Sequence, residues 1–174
     1  MTLGEAKQKT LRLLDEVTDK NYKDKFNLFF DMGQQRFATQ VKPIVRSISA
    51  TSTDNKLAVP DDLYEVRAIF DSDYKTVGYM PIGDSIFVDQ DGTYTLEYNA
   101  YPTKITAATP DTQELELSKD LQLALPYFVA AQCVIKESDQ RPYVSYTDEM
   151  NSILASVSQR PARITSSTRR WEGL

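Results

Sequence analysis

The spacing of apolar residues changes period twice along this chain, and that double switch narrows the folds open to it. Up to about residue 41 the spacing is helical. Leu3, Ala6, Thr10, Leu13, Leu14 and Val17 fall on one side of a first segment. Tyr22, Phe26, Phe29, Phe30, Gly33, Phe37 and Val41 fall on one side of a second. From Pro43 the period drops to two: Ile44, Arg46, Ile48 and Ala50 alternate with Val45, Ser47, Ser49 and Thr51. Helical spacing returns after Thr109-Pro110-Asp111 and holds to Val157. A single helical or single β architecture is therefore excluded.

The punctuation between segments agrees with this order. Thr2 and Glu5 stand at capping-box spacing, so the first helix can start at once. Asp19 or Asn21 can cap the second helix, and Pro43 stops it. Gly33, in mid-helix, marks either a close helix crossing or a weak spot. Thr53-Asp54-Asn55 reads as a turn. Leu63 to Phe70, Tyr74 to Ile82, Ser85 to Val88 and Thr93 to Ala100 read as short strands. Asp91-Gly92 between the last two predicts a hairpin, because such turns favour positive φ. Ser118 is a candidate cap for the third helix, Pro126 should kink that helix or delay its regular part to that point, and Pro142 suits the first turn of the fourth.

The expected fold is α+β: a four-helix bundle (helices about 3–18, 22–41, 119–137 and 142–157) with a β-strand insert between helices 2 and 3, about 44–105. Residues 1–157 form one domain in this reading, and 158–174 form an extended C-terminal arm. The arm reverses the charge of the rest. It carries Arg160, Arg163, Arg169 and Arg170 against Glu172, a net of +3, leaving 16 basic and 24 acidic residues before it, a net of −8. So polar a segment cannot offset its own ordering entropy alone. Ile164, Trp171 and Leu174 nevertheless offer anchors that partner pockets accept. An arm that orders on another protein is the economical reading, with nucleic acid the lesser alternative.

The chain holds no histidine, which removes the commonest general base and metal ligand and moves the expectation away from catalysis. The one cysteine, Cys133, excludes an internal disulfide and reads as an inert thiol on the apolar side of a helix. Asp89-Gln90-Asp91-Gly92 fails as a calcium loop: with Gly92 at the loop glycine, Phe87 and Tyr98 would occupy the first and last ligand positions. Asp61-Asp62 diverge on an extended segment, and Asp71 and Asp73 read as solvated turn residues. No phosphate loop, nucleophile elbow or cysteine pair is present, so no catalytic, cofactor or metal residue is expected. Tyr74, Tyr79, Tyr94, Tyr98 and Tyr101 suit a sheet face half buried or held against a neighbour better than base stacking. No window reaches the roughly 18 apolar residues of a membrane span, and the start lacks the basic-then-apolar pattern of a signal peptide.

Four segments in order carry a resemblance: Leu57 to Val66, Tyr94 to Pro102, Glu114 to Leu117, and Leu123 to Ala131, followed by a closing helix. Together they resemble the head-to-tail connector (adaptor) proteins of tailed bacteriophages, over roughly residues 3 to 157. The resemblance implies a helical bundle with a β insert, assembled as a twelve-fold ring around the DNA channel. It implies a C-terminal extension gripping the portal protein above and a tail-side neck protein, stopper or tail terminator, docking below. It places such a chain in the virion neck, assembled in the host cytoplasm, with DNA passing but not bound by sequence. By position, the portal-docking residues would be Arg160, Arg163, Ile164, Arg169, Arg170, Trp171 and Leu174. A stopper or tail-completion protein, and more distantly a small enzyme or DNA-binding regulator, are the alternatives.

Overall fold

A computed structural model describes residues 1–15, 22–136 and 138–158 of the chain. Four helices, α1 (Leu3–Leu13), α2 (Lys23–Gln40), α3 (Lys119–Val134) and α4 (Arg141–Ser158), flank six strands. The strands are β1 (Ile44–Thr53), β2 (Lys56–Leu57), β3 (Leu63–Phe70), β4 (Tyr79–Ile82), β5 (Ser85–Val88) and β6 (Gly92–Ala100).

The expected four-helix bundle with a strand insert is not what forms. The strands build one six-stranded antiparallel sheet, curled towards a barrel, with a core of its own. Leu57, Ile69, Leu96 and Tyr98 are its largest fully enclosed side chains, and each such burial contributes about 1.5–3 kcal/mol. The helices meanwhile do not close around a shared axis. α1, α2 and α4 each pack against α3, whose buried residues include Leu121, Leu125, Pro126, Val129, Ala130 and Val134. A bundle helix buries one stripe, whereas α3 is wrapped around most of its circumference. Ile105, Leu115 and Leu117, from the long segment after β6, complete this second core.

Local chemistry sets the helix limits. Thr2 and Glu5 form the reciprocal capping box at the start of α1, at 3.2 and 3.0 Å. α1 ends at Leu13, short of the expected 18, as Asp15 enters the left-handed region at φ 56°. Residues 16–21, including the proposed caps Asp19 and Asn21, lie outside the described part. Tyr22 occupies the N-cap of α2 without a side-chain cap bond. Ser118 does hold the N-cap position of α3, but its hydroxyl makes no capping bond. α3 continues through Pro126 and ends at Val134. Asp139 accepts from the Arg141 backbone amide at 3.0 Å as α4 begins, and from its guanidinium. Those bonds hold the Asp139 carboxyl below its ordinary range, the guanidinium contributing more than the amide.

Gly33 resolves towards the close crossing. A Cβ there would stand 2.5 Å from Leu125 Cδ1 and 2.8 Å from Phe128 Cδ1, so α2 meets α3 at this point. Phe37 then packs edge-on to Phe128, with ring centres 5.8 Å apart.

The strand order is β3-β6-β1-β2-β5-β4. Its backbone is the long ladder from Ile44↔Ala100 to Ser52↔Gly92. Asp54 and Asn55, at φ 54° and 61°, make the turn from β1 to β2. The expected hairpin at Asp91-Gly92 does not form, since β5 pairs with β2 and β4 while β6 pairs with β1 and β3. Asp91 instead serves the neighbouring turn, its carboxylate accepting from the Asn55 amide at 2.6 Å and the Asp54 amide at 3.1 Å. The sequence signal for a tight turn was thus real in its polarity and wrong in its partner. The second two-residue turn sits at Gly83-Asp84, where Gly83 has φ 56°.

Candidate functional site

Two features of the sheet stand out, a polar junction at its root and an open seam between its edges. The junction is built on Arg46, the one charged residue in the row Ile44, Arg46, Ile48, Ala50. Its guanidinium donates to Asp62 Oδ2 from one nitrogen and to Glu116 Oε2 from another, at 2.9 Å. Asp62 Oδ1 accepts from the Tyr98 hydroxyl at 3.0 Å. Glu116 also accepts from the Thr103 amide at 2.9 Å and its hydroxyl at 2.8 Å. Every oxygen of both carboxylates is thus engaged. Burial, then the Asp62 hydrogen bond and charge, push the Tyr98 phenol above its ordinary value, against the opposing Arg46 charge. The junction clamps the sheet to the 102–117 segment through Arg46, Asp62, Tyr98, Thr103 and Glu116.

That segment is tied to α2 as well. Asn27 and Gln34 donate to the carbonyls of Thr106 and Thr103 at 2.6 and 2.7 Å, and Asp31 accepts from the Ile105 amide at 2.7 Å. Sheet and helices are therefore joined through one loop with few unmet polar groups. Sequence reasoning said of Asp62 only that it diverges from Asp61 on an extended segment; the structure gives it Arg46 and Tyr98 as partners. The available signal was Arg46 itself, a cation in an inward-facing strand row that needs a buried-side partner.

The seam follows from the strand order. β3 and β4 are consecutive in the chain yet occupy opposite edges of the sheet. Curling brings these edges face to face. At one end they are stitched by the Phe70–Thr76 bridge and by the Val77 amide donating to Ile69 at 2.8 Å. At the other end they part, leaving a cleft of about 680 Å³ between residues 63–66 of β3 and residues 79–86 of the β4–β5 hairpin. Asp61, Glu65 and Asp84 line it, all exposed, and no lysine or arginine among the described residues does. Tyr64 stands at this wall with its ring 5.2 Å from that of Tyr101, both 41% exposed. Across the gap all four residues of β4, Tyr79, Met80, Pro81 and Ile82, are exposed.

Of the five tyrosines expected on a half-buried or partnered sheet face, Tyr94 and Tyr98 are buried, while Tyr74, Tyr79 and Tyr101 are exposed. Asp71 is a turn organiser, accepting from the Asp73 and Lys75 amides at 2.9 Å. Cys133 is half-buried against the helical core. On α2, Leu28 and Met32 lie one turn apart and face outward. The arm residues Arg160, Arg163, Ile164, Arg169, Arg170, Trp171 and Leu174 lie outside the described residues. Among the described residues no group of three or more acidic, cysteine or histidine side chains is disposed to hold a metal, and no helix is long and apolar enough to cross a membrane. No protein-family model matches the chain, and no curated protein matches it.

Proposed function

We propose that this protein is a non-enzymatic component of a tailed-bacteriophage neck, an adaptor whose copies form a ring between portal and tail around the DNA channel. The observation that carries the reading is the polar junction. Asp62, Tyr98 and Glu116 come from three of the four segments that resemble adaptor proteins, and all three meet at Arg46. Segments scattered over some 60 residues that converge on one structural clamp fit a shared architecture better than a chance likeness. The rest of the molecule is consistent with a building block. Its polar clusters are satisfied internally, and its outward features are apolar or acidic surfaces.

In this reading the α2 face bearing Leu28 and Met32 packs laterally on the next copy. The arginine-rich arm docks on the portal, and its Arg160, Arg163, Arg169 and Arg170 meet carboxylates there while Ile164, Trp171 and Leu174 fill apolar pockets. A modest arm contact repeated around a closed ring gains avidity without strong single sites. The body, net −8, lets DNA slide past without the counterion release that drives duplex binding.

The stopper reading of the same neck gains from one observation: the six-stranded sheet has its own core, so helix content no longer separates the two roles. Contact separates them instead, because an adaptor touches the portal directly. A chain ending at Val157 should keep its fold by circular dichroism and fail to co-sediment with the portal protein of the same phage, while the full chain pellets with it. Co-sedimentation of both forms would remove the arm from the interface, and of neither form would favour the stopper.

A further inference from the structure

We infer that the outward face of α2 in one copy seats on the outward face of α4 in a second copy, a head-to-tail contact between two different surfaces of the same chain. The contact rests on the lateral packing proposed above and names the surface that receives α2. On α2, Lys25, Leu28, Met32 and Arg36 recur at intervals of three and four residues, and all are exposed. The other side of the helix is already occupied. Phe26, Phe30, Gly33 and Phe37 are buried there, with Gly33 against Leu125 and Phe128 of α3. The outward stripe thus has Leu28 and Met32 in its middle and a cation at each end, about 16 Å apart at the helical rise. Among the described residues neither cation is in an ion pair. Arg36 Nε donates to Gln40 at 3.2 Å.

The outward face of α4 is the complement. Ser145, Asp148, Glu149 and Ser152 are exposed at helical spacing, and with Val144 they line a shallow groove of about 790 Å³. The serines leave room for the longer Leu28 and Met32 side chains, and the exposed Val144 gives them an apolar wall to cover. Arg141, also on the groove, is held by Asp139 at 2.7 Å, so Asp148 and Glu149 set the sign of the face. Among the described residues those two carboxylates have no ion-pair partner. Charge then selects the pairing. Two α2 faces together would set cations on cations, and two α4 faces acids on acids, both unfavourable. α2 on α4 instead pairs Lys25 and Arg36 with Asp148 and Glu149. Both helices pack on α3 with their inner sides, so one copy presents both outward faces at once. A contact between unlike faces leaves one of each free at the ends and therefore repeats, the property that a ring requires.

The test uses the full chain without portal. Sedimentation velocity follows self-association of the parent, of K25E/R36E and of D148K/E149K, with circular dichroism as the check that each variant folds. The parent should associate as its concentration rises, and each variant should do so about tenfold more weakly, the effect of losing two charge pairs and gaining repulsion. In the first variant both faces are acidic, and in the second both are basic. An equimolar mixture of the two restores opposite charges across every contact and should regain the parent's strength as alternating copies. Residues that matter only within their own subunit give no such rescue. A parent that stays monomeric at about 1 mM, the weak end of specific association, overturns the inference. So does a mixture that associates no better than either variant alone. Rescue in the mixture, with portal particles left bare by the parent, would keep the contact and remove the neck reading.

Discussion

Tyr98 shows how a single side chain ties the two cores together. It is 2% exposed, sits mid-ladder in β6 opposite Arg46, and sends its hydroxyl to Asp62. Its folded-state pKa is raised, chiefly by burial and then by the Asp62 carboxylate. A raised value means the unfolded chain loses its proton first as pH climbs. The stabilisation is therefore whole below the ordinary value of 10.0 and is lost as pH rises through the folded value. Tyr98→Phe should cost about 0.5–1.5 kcal/mol near neutral pH. It should also flatten the alkaline limb of a stability profile measured by urea denaturation between pH 8 and 11. A variant as alkali-sensitive as the parent would show that another group governs that limb. Nothing in a linear reading of Tyr98 announces this role, because its partners lie 36 and 52 residues away in the chain.

At the scale of elements, periodicity located strands well and their pairing poorly. Leu63–Phe70 and Ser85–Val88 begin and end where alternation places them, since alternation reflects one buried face and needs no knowledge of neighbours. Which strand pairs with which is decided by turn geometry and by the curl of the whole sheet. Asp91-Gly92 misled for that reason: its carboxylate organises the Asp54-Asn55 turn from outside. The helices failed as a bundle for a similar cause, because an apolar stripe says that a helix is buried and not against what. Gly33 was legible as an anomaly, and only the α2–α3 crossing gives its reason. Gly33→Ala gains about 1 kcal/mol of helix propensity. It also drives a methyl into Leu125 and Phe128, both buried, and such overpacking costs about 1–3 kcal/mol or more. A net loss of about 1–2 kcal/mol in chemical denaturation is expected. A gain in stability would mean the two helices separate more easily than their packing implies.

For the whole molecule, the division of labour is the main point. Two cores are joined at Arg46 and along the 102–117 segment, where the polar side chains are largely consumed in holding them together. What its described residues offer outward is an apolar helix face and an acidic seam between two edge strands, and the sequence adds a cationic C-terminal segment. In the proposed adaptor reading, such a molecule works by geometry and contact. The most direct measurement is electron microscopy of the full chain mixed with the portal protein of the same phage. The account predicts a second ring seated on the portal, coaxial with its channel and built from copies of this chain. Portal particles that remain bare, with the protein free in solution, would contradict it.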